Sequence, residues 1–167
     1  MQEIFNRRSI RRYENKTVTD EQIEQLLRAA MYAPSAGNEQ PWHFVVIKDR
    51  ETLNRIMKIH PYTQMLREAS LAIIPCADTS KVKYNGVFWP QDMAASIQNI
   101  LLQANGIGLG TCWCGVYPRE ELMAPLSEII DLPKGVNPFA VVAVGYPAEK
   151  GMAGDRFKRE KVHYEKW

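Results

Sequence analysis

The sequence predicts a single domain in which helices alternate with strands that are buried on both faces. Its 167 residues are enough for one hydrophobic core and few for two, and 46% of them are apolar. Residues 19–32 show the apolar spacing of an amphipathic helix. Residues 42–48 and 71–76 are β-rich runs that are too continuously apolar to have a solvated face. We therefore expect residues 1–167 to form one domain around a buried sheet.

The helices are predicted from their starts and from their apolar spacing. Thr19 can cap the first long helix, and Gln22, three residues later, completes a capping box. Asp92 is expected to cap an alanine-rich helix that packs closely on all sides, and Gly106 to end it in the left-handed conformation. The expected helices are 19–32, about 50–58, 93–105 and 119–130, and the remaining expected strands are 108–113 and 139–146.

The charge pattern bears on which partners to expect. The net charge is only +2, which gives no reason to expect nucleic acid or an acidic membrane as a partner. Basic residues are concentrated instead in 7–12 and 156–166. No window approaches the roughly 20 apolar residues of a membrane span, and the first residues lack the pattern of a secretion signal, so we expect a cytoplasmic protein. The cysteine and histidine spacings predict no metal site.

The first candidate binding segment is Arg7-Arg8-Ser9-Ile10-Arg11. Guanidinium groups match phosphate oxygens through paired hydrogen bonds, and a serine hydroxyl adds a neutral donor. If a helix covers 2–8, Arg7 and Arg11 would lie one turn apart on the same face. The same residues would also suit a solvated basic face paired with Glu3 and Glu14.

Two further segments suit a flat ligand. Between Pro34 and Pro41, the side chains of Ser35, Asn38 and Gln40 can donate to and accept from the edge of a heteroaromatic ring. In 110–115, small residues allow backbone amides to approach a planar ring. Each segment also has an ordinary interpretation, the first as a helix–strand connection and the second as a glycine-bounded strand.

The motifs of a catalytic side-chain nucleophile, a Walker loop and a dinucleotide-binding turn are missing from the sequence. Gly108 and Gly110 lie between a predicted helix and a predicted strand, which is the reverse of their order in a dinucleotide-binding turn. Binding segments without a catalytic set favour a bound cofactor that carries the reactive chemistry.

Several short motifs follow one another along the chain. They are the Arg7-Arg-Ser-x-Arg11 start, Pro34-Ser-x-x-Asn38-x-Gln40-Pro41-Trp42, Asp92 with Gln98-Asn99, Gly108-Leu-Gly-Thr-Cys-Trp113, Val144-Gly-Tyr-Pro147, Arg156-Phe157, and His163-Tyr164 before Trp167. Each motif is weakly specific alone. In their order and spacing, over nearly the whole chain, they resemble the FMN-dependent nitroreductase family.

The resemblance implies an α+β fold, with a central, mainly antiparallel sheet flanked by helices. It also implies an intertwined homodimer with two FMN molecules at its interface. The C-terminal extension, 147–167, would pack on the partner subunit in an exchange of tails. The aromatic residues Tyr164 and Trp167 favour such packing, because their rings would otherwise be left in water.

The resemblance further implies which residues bind FMN. The phosphate would be held by Arg7, Arg8, Ser9 and Arg11, with Arg156 as a further ligand. A loop from the other subunit would lie against the isoalloxazine ring, through Pro34, Ser35, Ala36, Asn38 and Gln40. The strand after Gly110 would bring a backbone amide near flavin N5 at Cys114 and Gly115, with Thr111 and Trp113 as ring or phosphate neighbours.

By the same resemblance, the protein would be an FMN-dependent NAD(P)H oxidoreductase. NADH or NADPH would reduce the flavin, and a nitroaromatic, a quinone or a similar small electron acceptor would then take its place. No catalytic side chain is implied, because the flavin carries the chemistry. Two other functions stay open: electron relay with little turnover, and reductive dehalogenation or flavin fragmentation. The short segment 78–91 would have to cover the site, and Tyr84 and Trp89 could be lid aromatics or ordinary core or surface residues.

Overall fold

The computed structural model describes residues 2–80, 82–151 and 154–167. Its helices are α1 (Gln2–Asn6), α2 (Asp20–Met31), α3 (Arg50–Ile59), α4 (Trp89–Gly106) and α5 (Glu120–Ile129). Its strands are β1 (Trp42–Ile47), β2 (Leu71–Asp78), β3 (Gly110–Gly115), β4 (Val136–Pro138) and β5 (Ala140–Gly145). Within these ranges, no helix has both the length and the apolar character needed to cross a membrane.

The strands form one antiparallel sheet in the order β1-β2-β5-β3, and the short β4 also pairs with β2. Strands β1 and β3 therefore lie at opposite edges. In the register, Trp42 lies opposite Ala77, and Gly115 lies opposite Ala140. The α+β fold with a central antiparallel sheet flanked by helices is confirmed.

Alternating side chains of the sheet build two hydrophobic cores. Leu71 and Ile73 of β2 belong to the core with α2 and α4, whereas Ala72 and Ile74 belong to the core with α3 and α5. Successive side chains of a strand point to opposite faces, so helices cover both faces of the sheet. Strand β5 is buried at every residue, and β2 at all but its last. The prediction of a buried strand is confirmed for 71–76. It is only partly right for 42–48, because β1 lies at the edge of the sheet and only Trp42 and Ile47 of it are buried.

The start of α2 also follows the prediction. The Thr19 side chain accepts a hydrogen bond from the Gln22 backbone N–H, and the Gln22 side chain accepts one from the Thr19 N–H. These two bonds are the predicted capping box, which satisfies N–H groups that the first turn leaves unpaired. The buried face of α2, which includes Ile23 and Leu26, then packs in the same core as α4.

Helix α4 differs from the prediction at both ends. It begins at Trp89, so Asp92 lies inside the first turns and does not cap the helix. The predicted cap is wrong because the Asp92 carboxylate instead accepts a hydrogen bond from the distant Ala36 N–H. The helix includes Gly106, and Gly108, with φ of 79°, is the residue in the left-handed conformation.

Candidate functional site

After α1 ends at Asn6, the chain runs as an extended segment beside β3. Ser9 forms a parallel bridge with Thr111, and the Ile10 N–H donates to the Thr111 carbonyl oxygen at 2.9 Å. The helix ends at Asn6 and does not extend to residue 8, so the condition under which Arg7 and Arg11 would share a helical face is not met. The extended backbone turns successive side chains in opposite directions, so Ile10 is buried while Arg11 is exposed.

Two glycines allow this segment to approach the sheet closely. A Cβ at Gly110 would lie 2.9 Å from the Ile10 side chain, and a Cβ at Gly145 would lie 2.8 Å from the Tyr13 ring. The buried Tyr13 hydroxyl donates to the Ile10 carbonyl oxygen at 2.7 Å, and burial raises the pKa of Tyr13. The segment is therefore held in a defined position, with Arg11 next to the end of β3.

An open cavity of about 790 Å³, here called the β3 cavity, lies beside this strand. Its floor is Cys112–Gly115, and Arg11 and Arg12 enter from the N-terminal segment. The facing wall comes from the turn that follows α3, and its lining residues are His60, Pro61, Tyr62, Gln64, Met65, Arg67 and Glu68. The volume is typical of small-molecule sites. The cavity thus brings together four of the predicted residues, Arg11, Trp113, Cys114 and Gly115.

Hydrogen bonds join the wall of the β3 cavity to its floor. His60 is 2% exposed; its Nε2 lies 2.9 Å from the Gly115 carbonyl oxygen, and its Nδ1 lies 3.3 Å from the Tyr62 N–H. Because Nδ1 accepts from that N–H, the ring proton is on Nε2 and is donated to Gly115. The Cys114 thiol donates to the Tyr62 carbonyl oxygen at 3.1 Å. His60 was not predicted as a site residue, and its only signal in the sequence is a polar residue before Pro61.

The two cysteines of β3 line the cavity from the same face of the strand. A hydrogen bond with the Cys114 thiol, together with the positive charge of Arg11, lowers the pKa of Cys112 to about 7. The neighbouring Cys112 and burial raise the pKa of Cys114, which therefore keeps its proton. The Cys114 S–H can therefore donate its hydrogen bond either to the Tyr62 carbonyl oxygen or to a Cys112 thiolate. Within the described ranges, no group of three or more histidine, cysteine or carboxylate residues is placed to bind a metal ion.

A second group of predicted residues surrounds Arg7. Partial burial, and then the positive charges of Arg156 and Arg8, lower the pKa of Arg7. The Arg8 Nη1 donates to the carbonyl oxygens of Phe5 and Arg7, at 2.6 and 2.7 Å. Arg7, Arg8 and Thr111 also line a cavity of about 160 Å³. Like charges that are held together and partly buried favour the binding of an anion.

The loop 34–41 lies apart from both cavities, next to the edge strand β1. Asp92 holds its Ala36 N–H, the Gln40 N–H donates to the Ser35 hydroxyl at 3.0 Å, and the Gln40 amide donates to Asn38 at 2.9 Å. The predicted ring-facing loop and the predicted phosphate-binding residues are therefore not in one place within a single chain. Their meeting across two subunits stays a prediction.

The two predicted lid aromatics, Trp89 and Tyr84, lie in different environments. Trp89 is 7% exposed and packs edge-on against Tyr117 and Phe139, with ring centroids 4.5 and 5.7 Å apart. The lid assignment of Trp89 is therefore wrong, because the core already surrounds its ring. Tyr84 is exposed at the surface, and the position of a Cβ at Gly37 lies 3.0 Å from its hydroxyl. A lid role for Tyr84 stays a prediction.

The C-terminal extension exposes large side chains. Phe157, Tyr164 and Trp167 are 68%, 66% and 100% exposed, although the Trp167 ring stacks on His163 at 4.4 Å. Exposed aromatic residues grouped in this way are typical of a surface that another chain covers. The packing of this extension on a partner stays a prediction.

Comparisons with known proteins agree with these features. The nitroreductase family model matches residues 4–72 and 60–146. An Archaeoglobus fulgidus protein, named provisionally as an NADH dehydrogenase/NAD(P)H nitroreductase, is 48% identical over 98% of this chain and 96% of its own. A Clostridium acetobutylicum structure, described provisionally as an NADH oxidase, has a TM-score of 0.94 at 46% identity and 99% coverage of each chain. An FMN-dependent nitroreductase of Clostridium difficile R20291 has a TM-score of 0.91 at 29% identity and 100% coverage of both chains. This chain belongs to the nitroreductase family.

Proposed function

We propose that this protein is an FMN-dependent NAD(P)H oxidoreductase that reduces small electron-poor molecules such as nitroaromatics or quinones. The observation that carries the proposal is the β3 cavity, whose lining combines the cationic Arg11 with the strand residues Cys112–Gly115. The arginine can bind a phosphate, and the strand can contact a planar ring. Membership of the family and the FMN-dependent Clostridium difficile relative support FMN as the ligand.

The arginines fit the phosphate end of FMN. Arg7 and Arg156 repel each other in the isolated chain, and a phosphate dianion between them would turn that repulsion into two attractions. The exposed Ser9, next to Thr111, adds a hydroxyl donor. We therefore assign phosphate binding to Arg7, Ser9, Arg11 and Arg156. Arg8, whose Nη1 is bonded to two carbonyl oxygens, supports the turn after α1.

The floor of the cavity fits the ring end. Strand β3 is at the edge of the sheet, so one side of its backbone is not needed for pairing with β5, and the segment at Ser9 and Ile10 bridges that side only at Thr111. A Cβ at Gly115 would meet no atom within 4 Å, which leaves open space at the mouth of the strand. His60 orients the Gly115 peptide from below. Bound there, FMN would supply hydride and electron transfer between the nicotinamide donor and the acceptor.

We also infer that a second copy of the chain completes the site. The loop 34–41 lies at the sheet edge opposite β3, where it is available to a partner subunit. Around a surface cavity of about 530 Å³ between α1, α2 and α4, Ile4 and Tyr32 are largely exposed. An apolar surface of this kind favours association. Light scattering should give the mass of a dimer, and a monomer at micromolar concentration would contradict this inference.

The first test is the colour and chemistry of the purified protein. It should be yellow, or become yellow with added FMN, and should release FMN and not FAD on denaturation. NADH or NADPH should bleach the flavin without oxygen, and nitroaromatics or quinones should restore the colour. A protein that binds no FMN would refute the proposal. Bleaching too slow for turnover would favour electron relay, and reoxidation by halophenols alone would favour dehalogenation.

A further inference from the structure

A second open cleft, of about 540 Å³, adjoins the β3 cavity. One side is formed by residues 13–18 and the other by residues 67–70, with Lys48 and Arg50 also in its lining. Arg67 and Glu68 line both spaces, so the two spaces adjoin at this pair of residues. We call the second space the Arg67 cleft. A ligand that occupies both spaces would have to cross the surface at Arg67 and Glu68.

Most charged groups around the Arg67 cleft are already engaged. Lys48 pairs with Asp20, and Glu68 accepts from the Arg12 side chain and the Tyr13 N–H. Arg50 donates to the carbonyl oxygens of Leu66, Arg67 and Ala69, at 3.0, 3.2 and 2.9 Å. These contacts fix the walls of the cleft. Lys48 and Glu68 are each balanced by a partner of opposite charge, whereas Arg50 bonds to neutral carbonyl oxygens and keeps its positive charge.

Two cations remain to face a ligand. The exposed Arg67 has no ion pair among the described residues, and the Lys16 ammonium lies 3.8 Å from the centroid of the Tyr146 ring with no carboxylate partner in those ranges. Glu14 is the one lining carboxylate for which the described residues provide no ion pair. With Arg50, Arg67 and Lys16 set against Glu14, the lining of the cleft keeps an excess of positive charge.

Two hydroxyl groups add hydrogen-bond donors to the lining of the Arg67 cleft. The Ser70 hydroxyl accepts a hydrogen bond of 2.9 Å from the Val18 N–H, so its own proton is available to a ligand. Thr17 lines the same wall. A guanidinium, an ammonium and two hydroxyls are the donors that a phosphate monoester prefers, because its oxygens only accept.

We propose that the Arg67 cleft binds the 2′-phosphate of NADPH, so that Arg67 and Lys16 make the protein select NADPH over NADH. The proposal rests on the proposed function, because the nicotinamide of the donor must reach the β3 cavity while its far end lies in the cleft. NADPH and NADH differ only at this phosphate. A cationic site for the 2′-phosphate therefore raises the affinity for NADPH relative to NADH, and does not affect the contacts that both donors share.

The kinetic test uses the FMN-loaded protein with Arg67→Gln and Lys16→Gln. Arg28→Gln is the matched control, because Arg28 pairs with Glu24 on α2 and lines neither space. In each of the two cleft variants, the KM for NADPH should rise about tenfold, whereas the KM for NADH should change less than twofold. Equal changes for both donors, or no change for either, would overturn the proposal.

A binding test separates this proposal from the proposed function. Calorimetric titration of the FMN-loaded protein should show adenosine 2′-monophosphate binding that weakens about tenfold in Arg67→Gln, and weaker adenosine 5′-monophosphate binding that does not change. Binding of both nucleotides that responds equally to Arg67→Gln would overturn the cleft assignment. If 2′-phosphate binding depends on Arg67 but neither donor bleaches the flavin, the proposed function is wrong and the cleft assignment stands.

Discussion

The buried carboxylate of Asp92 accepts a hydrogen bond of 2.9 Å from the backbone N–H of Ala36. This bond attaches the loop 34–41 to the first turns of α4. Gly37, Asn38 and Gln40 in that loop have φ values of 58°, 55° and 50°, a left-handed conformation that non-glycine residues adopt at a cost. Asp92 therefore helps to hold a strained loop at the edge of the sheet opposite the β3 cavity.

Asp92→Ala should lower the free energy of unfolding by about 1–3 kcal/mol, because the Ala36 N–H loses its acceptor. Asp92→Asn keeps an oxygen at that position and should cost less. Urea unfolding followed by circular dichroism measures both. An equal loss in the two variants would show that the negative charge, and not the hydrogen bond, holds the loop.

Gly110→Ala should destabilise the protein by about 1–3 kcal/mol, because its Cβ would lie 2.9 Å from Ile10 and overpack the contact. The variant should also bind FMN more weakly, since the contact positions Arg11. Thermal unfolding and FMN titration give the two values. Gly154→Ala, whose Cβ would meet no atom within 4 Å, is the control for stability and should leave the thermal unfolding unchanged.

Arg7→Ala and Arg11→Ala should each weaken FMN binding by about 1–3 kcal/mol, the scale of a charge-assisted hydrogen bond. Arg156→Ala should weaken it too, yet should not destabilise the FMN-free protein, because it removes a repulsion from Arg7. Quenching of flavin fluorescence measures the affinity, with Arg28→Ala as control. Unchanged affinity in both Arg7→Ala and Arg11→Ala would reject the phosphate assignment.

In FMN-free protein, alkylation of Cys112 by iodoacetamide should rise with pH, with a midpoint below that of an ordinary thiol, because the Cys114 thiol and the positive charge of Arg11 lower the pKa of Cys112. Cys76, whose pKa burial raises to about 12, should stay unlabelled over the same range. Bound FMN should protect Cys112, and Arg11→Ala should move the midpoint upward. Peptide mapping by mass spectrometry gives the labelled site, and a midpoint of 9 or above would contradict the assignment.

His60→Phe removes both hydrogen bonds of the buried ring and should lower the free energy of unfolding by about 1–3 kcal/mol, because the Gly115 carbonyl and the Tyr62 N–H lose a partner. FMN affinity should fall as well, because the wall and floor of the β3 cavity separate. His60→Gln retains a side-chain amide donor and should recover part of both losses. If His60→Gln and His60→Phe bind FMN equally, the hydrogen bond to Gly115 does not position the site.

Local patterns predicted what local interactions decide. The capping box of Thr19 and Gln22 appears as expected, because both of its bonds lie within one helical turn. Strand β2 was predicted as buried because it is apolar on both faces. The start of α4 was predicted wrongly because Asp92 fits the local sequence pattern of a helix cap. In the structure its carboxylate bonds instead to Ala36, which is 56 residues away. His60 was missed because its partner Gly115 is 55 residues away.

The basic segment that begins at Arg7 also separates what the sequence determines from what long-range contacts determine. By itself, the sequence determined the fold class, the family and the identity of the arginines, because composition, periodicity and motif order are properties of the chain. Only the tertiary structure decided that Arg7 lies near Arg156, that Arg11 enters the β3 cavity and that the loop 34–41 does not. These positions depend on the close approach permitted by Gly110 and on the order of strands in the sheet, which are set by packing between distant residues.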